Sequence, residues 1–407
     1  MIVASDAQAP LGTLHGTATE WPDPYRILFP LGIAFAIAGV APWIRFGAEA
    51  IPSAGSLHMA LMIEGFEQSF VLGFLLTALP AFTRGARCAR WELAMGALLL
   101  AAFALFAFTG PGWAAELAYA ASVALIGWAL TSRIVRVRRL PPEEFLFVGV
   151  GLLLGLCGAA VMIASQRLGW APTSPRLGER LHSLGMTLSI VLGVGGLLVP
   201  TFSGIREPLR VPGIAGAHER DGRRRLYVPV ALALIGAFAL EAIGLARTGA
   251  FVRAVAASVL LLLVWKLWRR PQIKGPVPIS LWASGWILLL GLWFAALWPS
   301  LTLAAYHIVF VGGFGFLTIG IGTRVTVAHG KHPLSAEPRL MTPLVFAAMV
   351  LALVVRVAAE LMLHPVNLLR SASAVLWMLA WALWASRALP RMLKLAHRPQ
   401  VAPRVQV

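Results

Sequence analysis

Apolar residues along this chain fall in unbroken runs of about 18–25 residues, separated by short polar clusters. A helix of that length crosses roughly 30 Å of hydrocarbon. Lipid offers no partner to exposed backbone groups, so spanning segments must be helices or closed barrels, and the strict alternation of a barrel strand is missing. The pattern predicts spans near 27–46, 57–82, 92–109, 113–131, 145–165, 182–202, 227–246, 251–268, 278–297, 302–322, 341–364 and 371–389. The expected fold class is therefore all-α, a polytopic transmembrane helix bundle of about twelve spans. The longest loop, near 203–226, is too short for a second domain, so residues 1–407 read as a single integral membrane domain.

Composition agrees with the pattern. Of the 407 residues, 59% are hydrophobic and 13% charged, against roughly 25% charged in soluble domains. The net charge of +17 raises the question of nucleic acid, but the basic residues cluster at span ends, which membrane topology explains. No nucleic-acid partner is expected; membrane lipid is. The loops after even-numbered spans carry Arg84, Arg87 and Arg90, then Arg133, Arg136, Arg138 and Arg139. Further along come Arg206, Arg210, Arg220 and Arg223, then Lys266, Arg269, Arg270 and Lys274, then Arg324, Lys331 and Arg339. With the C-terminal tail, about 25 of the 34 basic residues fall on one side, which the positive-inside rule makes cytoplasmic. The expected location is a bacterial-type inner (plasma) membrane, with both termini cytoplasmic. The first 26 residues are polar and lack a basic segment ahead of a short apolar run, so the first span itself enters the membrane. The two cysteines, Cys88 and Cys157, form neither a Cys-x-x-Cys pair nor a haem-attachment motif.

Three of the nine histidines occupy matching places. His58, His182 and His307 each open an even span, the second, sixth and tenth, at separations of 124 and 125 residues. Four spans lie between successive members, which points to a three-times-four-helix repeat of about 1–140, 141–270 and 271–407. Helical spacing places Met62, Gly65, Ser69 and Gly73 on the His58 face, and Met186, Ser189, Gly193 and Gly196 on the His182 face. The His307 face carries Val311, Phe314, Thr318 and Gly322. Small residues beneath a histidine leave room for a flat ligand such as a porphyrin, or for a closely packed neighbouring helix. His58, His182 and His307 are the candidate haem or metal ligands, with Met62, Gly65, Ser69 and Gly322 lining the site. His364 lies at a similar depth outside the repeat.

Other ionisable residues within spans are functional candidates by default. Glu64 and Glu67 point away from the His58 face, towards a neighbouring helix or a proton relay. Arg356 and Glu360, four apart, satisfy one another. Glu116 and Glu241 have no partner that spacing assigns. His329 and His332 stand in a solvated loop.

Three stretches resemble the NnrS family, membrane proteins carrying haem and copper in bacterial nitric oxide responses. The first runs from His58 through Met62 and Gly65 to Gly73-Phe74-Leu75-Leu76-Thr77-Ala78, Pro80 and Thr83; the second is His182 with Gly195-Gly196 and Pro200-Thr201-Phe202. The third is His307, Gly312-Gly313, Thr323-Arg324-Val325, His329-Gly330 and Pro333-Leu334, and Tyr25-Arg26 with Phe29 resembles the family's start. The family's first motif usually reads His-Ala-His-Glu, where this chain has His58-Met59-Ala60-Leu61, so one histidine and the glutamate are missing. Its Trp-Thr is Phe82-Thr83, and its Arg after the glycine pair is Leu197. The resemblance implies a non-covalent b-type haem, with copper set against a reduced donor set, and a diatomic ligand such as NO. A looser resemblance to catalytic subunits of haem–copper oxidases, whose second and tenth helices sandwich a haem, implies His58 and His307 as the axial pair and His182 as a third ligand. The oxidase's paired histidines on the seventh helix are absent. Repeats, Gly and Pro residues and buried carboxylates also suit a secondary transporter, and a structural or assembly protein whose histidines only pack is the third expectation. Turnover and oligomeric state are left open by the sequence.

Overall fold

The computed structural model describes residues 21–45, 54–138, 140–170, 176–205, 217–361 and 365–393. His364, the loop from Pro172 to Pro175, and Arg139, Arg206 and Arg210 lie outside the described residues. Among those described, helices are the only regular elements. Twelve are long and apolar enough to cross a membrane, which makes this a multi-pass membrane protein. They are α1 (Tyr25–Ile44), α2 (Gly55–Thr83), α3 (Arg90–Thr109), α4 (Gly112–Val137), α5 (Phe145–Leu168) and α6 (Leu177–Phe202). The second half comprises α7 (Arg223–Ala242), α8 (Ala246–Val264), α9 (Pro276–Leu297), α10 (Pro299–His329), α11 (Pro343–Leu361) and α12 (Val366–Leu393).

Each predicted span has its helix. The largest mismatches are at polar ends: α4 continues through Arg133 and Arg136, and α10 runs to His329 rather than stopping near 322. Hydropathy falls at the first charges, while the backbone ladder holds beyond the hydrocarbon.

Consecutive helices pack as hairpins, and α2, α6 and α10 lie towards the interior. The most enclosed is α6, with 94% of its apolar window buried, against 28% for α3 and α11. Glycine allows that enclosure. A Cβ on Gly195 would sit 1.9 Å from Cζ2 of Trp265, whose indole N–H donates to the Leu192 carbonyl at 3.0 Å.

The first and last spans meet. In α1 the ladder breaks around Pro42, which has no N–H to give. Val40 N–H turns to Ile37, and the Ala36 carbonyl accepts the Trp377 indole of α12 at 2.9 Å. Ser371 donates to the Trp43 carbonyl at 2.7 Å, and Arg26 to the Met392 carbonyl at 2.6 Å.

Helices α2, α6 and α10 share a departure from α geometry. Each contains a π-helical stretch, Leu61–Glu67, Leu181–Thr187 and Ile308–Gly315, and a shorter one ends α8 at Leu260–Val264. Such widened turns are uncommon and gather at functional sites. His182 lies inside its π stretch, His307 immediately before its own, and His58 three residues ahead.

Candidate functional site

Buried carboxylates are expensive unless a cation or hydrogen bonds compensate them. Most of those in this bundle have an arginine. Glu92 takes both guanidinium nitrogens of Arg133 at 2.8 Å, Glu241 takes Arg253 at 2.6 Å and Arg180 at 3.0 Å, and Glu337 takes Arg324 at 2.6 Å. Glu144 faces Arg223 at 3.4 Å. Glu241 thereby gains the partners that spacing could not assign, and Arg356 and Glu360 do pair, joined by Arg370.

Glu64, Glu67 and Glu116 are the exceptions: among the described residues none of the three has an ion pair with an arginine or lysine. Glu64 and Glu116 converge on His182. The imidazole Nδ1 donates to Glu64 Oε1 at 3.0 Å, and Nε2 lies 3.9 Å from Glu116 Oε2. Neither that nitrogen nor that oxygen has a hydrogen-bond partner. One donor atom from each residue lies within 4.8 Å of the other two. The surroundings are tight. Tyr119 packs its ring 4.5 Å from the imidazole and turns its hydroxyl to Met186 Sδ at 3.0 Å, while a Cβ on Gly158 would meet the imidazole at 2.4 Å. Local backbone geometry helps place His182, because the π turn offers its carbonyl to the Thr187 hydroxyl five residues on, at 3.4 Å.

Glu67, about one turn beyond Glu64 on α2, lies at a separate, partly open pocket of about 70 Å³. Phe70 and Phe74 of α2, Val194 and Leu198 of α6, and Ile321 of α10 are among its walls. Its polar members are Glu67 and Thr318, whose hydroxyl donates to the carboxylate at 3.5 Å.

His58 and His307 have other partners than His182, and both are half-buried. Nδ1 of His58 donates to the Gly39 carbonyl at 2.8 Å, and its ring stands edge-on to Trp43. Nδ1 of His307 donates to the Leu303 carbonyl at 2.7 Å. A ring nitrogen fixed in this way leaves Nε2, with its lone pair, as the ligand atom. Arg356 and Arg370 lie close enough to His307 to act on it electrostatically, as Arg356 does on His58, so the two imidazoles share one basic neighbourhood.

The other anticipated lining residues pack against neighbouring side chains or their own helix. Met62 lies against Gly39, Gly65 against the Phe35 ring, and Gly322 against Trp384 and Phe70, while Ser69 donates to the Gly65 carbonyl at 2.6 Å. His329 lies beside Tyr25, with ring centroids 5.9 Å apart. The grouping of Glu64 and Glu116 with His182 is the element that spacing along single helices does not reveal. The available signal was that three ionisable groups sit within spans at similar depth.

Fold and site together define a polytopic membrane protein with imidazole and carboxylate groups gathered near one end of its bundle. The family model for NnrS protein matches residues 20–395, and the chain belongs to the NnrS family. No curated protein matches it.

Proposed function

We propose that this chain is a haem-binding membrane protein of the bacterial nitric oxide or redox-stress response, with His58 and His307 as the axial ligands. One observation carries the assignment: the imidazoles of His58 on α2 and His307 on α10 each have Nδ1 tied to a backbone carbonyl, which leaves Nε2 as the ligand atom. Family membership supports the same reading. The donor chemistry fits a non-covalent b-type haem, which needs neutral imidazole, and Arg356 and Arg370 suit its anionic propionates. Haem held by these residues would supply electron transfer or the binding of NO. The residues' own work is to orient the imidazoles: the Gly39 and Leu303 carbonyls set the tautomer, and Glu360 holds the two arginines in place.

The recurrence of π-helical stretches beside histidines in α2, α6 and α10 supports reading the chain as three groups of four helices. The expected setting is the bacterial inner membrane with cytoplasmic termini, in keeping with the distribution of Arg and Lys.

The absorption spectrum of the purified protein tests the assignment. A Soret band is expected after expression with ample haem, lost in His58→Ala or His307→Ala variants that still elute as monodisperse protein. A colourless wild-type protein overturns it, and a metal assay on the same sample reads copper.

A further inference from the structure

We propose that His182 and Glu116 form a binding site for a divalent transition-metal cation of the Zn²⁺, Mn²⁺ or Fe²⁺ class, with Glu64 as the carboxylate that orients the imidazole. The inference goes beyond the haem reading and does not depend on it, because it concerns different side chains.

The first argument is charge. Every other buried glutamate named above except Glu67 has an arginine partner, whereas Glu64 and Glu116 share one imidazole between them. Two carboxyl groups without a counter-cation in an apolar bundle stay neutral by holding protons, or ionise when a cation takes the place of those protons. The second argument is spacing. Nε2 of His182 and Oε2 of Glu116 are both buried and unpartnered, and face each other at 3.9 Å. That separation is too long for a shared proton, and an inward shift of about 0.5 Å would bring both atoms to about 2.1 Å from one tetrahedral cation between them. The third is the outer shell. Glu64 accepts from Nδ1 at 3.0 Å, which is the carboxylate–histidine–metal arrangement that fixes the tautomer and strengthens the nitrogen donor.

Donor type sets the class of ion. One imidazole with carboxylate oxygens favours a borderline or hard divalent cation. The nearest sulfur, Met186 Sδ, accepts the Tyr119 hydroxyl. The cluster lies near the end of the bundle where α6 begins. There Glu179 is half-buried one turn before His182, pairs with Arg176 at 3.8 Å, and acts electrostatically on both His182 and Glu116.

Equilibrium dialysis of the full-length protein in detergent against Zn²⁺ and Mn²⁺, followed by elemental analysis, tests the site. About one equivalent of one of these ions is expected in wild type and in Glu67→Gln. Binding should weaken at least tenfold in Glu116→Gln and in His182→Asn. His58→Ala should keep the metal and lose the Soret band, so failure of the haem reading and failure of this one give different results. Wild type that retains neither ion overturns the proposal, and so does binding unchanged by Glu116→Gln and His182→Asn. Should either variant misfold, X-ray absorption of the wild-type zinc form decides. One imidazole with oxygen neighbours supports the site; a shell containing sulfur, or lacking imidazole, overturns it.

Discussion

Glu64 and His182, 118 residues apart in sequence, meet at 3.0 Å between α2 and α6, and both are almost fully buried. Removing the carboxylate strands Nδ1 in an apolar setting. A buried donor left unsatisfied costs about 1–3 kcal/mol, so Glu64→Ala should lower the thermal midpoint in detergent, and Glu64→Gln, which keeps an acceptor, should lower it less. Equal midpoints for the two variants would refute a hydrogen-bonding role.

The Glu241 cluster makes a larger prediction. Arg253 is 2% exposed and its guanidinium depends on Glu241 at 2.6 Å. Glu241→Gln leaves that charge uncompensated, and breaking one side of a buried pair costs about 3–5 kcal/mol. Thermal unfolding of the single variant, compared with Glu241→Gln combined with Arg253→Met, measures it; the double variant should recover part of the loss.

Packing around Trp265 leaves no room at Gly195. Gly195→Ala would force a methyl group to 1.9 Å from a ring that is itself pinned through its N–H. Overpacking of this kind costs about 1–3 kcal/mol. Adding Trp265→Phe should restore stability in part, and an unaltered melting curve for Gly195→Ala alone would contradict the α6–α8 contact.

Cys88 lies in the turn between α2 and α3, where burial first and the Glu92 carboxylate second push its thiol up to about 12. The thiolate is the reactive form. In a Cys157→Ser background, alkylation at pH 8 should run about 30- to 1,000-fold slower than for an exposed thiol, the range reflecting the greater nucleophilicity of a more basic thiolate. The rate should climb with each pH unit through pH 10. A plateau near pH 9 would show an ordinary thiol.

Topology is testable by fusion. Cytoplasmic reporters attached after residue 407 should be active, and periplasmic reporters inserted at 110 should be active on the opposite side. The reverse pattern would overturn the orientation read from the arginines.

Much of this was legible in the chain because hydrocarbon thickness imposes length: twelve apolar runs become twelve helices. The pairing of Arg356 with Glu360 was legible too, being local to one helix. The His182 cluster was not. Its three groups come from α2, α4 and α6, and wheel geometry at 100° per residue describes a single α-helix, whereas Leu61–Glu67 and Leu181–Thr187 turn with π pitch. Nor did the small residues on the His58 face show that α1 would cover them, Gly65 by Phe35 and Gly73 by Phe29, because those contacts are tertiary.

The contact between α1 and α12 has a consequence for assembly. Ala36 and Trp43 receive their partners from Trp377 and Ser371, which the ribosome makes more than three hundred residues later. Until α12 is made, that flank of α1 is without these partners. The seam joins the chain's beginning to its end, so a version cut open at an inter-helix loop and linked across residues 21 and 393 would preserve every helix contact while reversing which half waits.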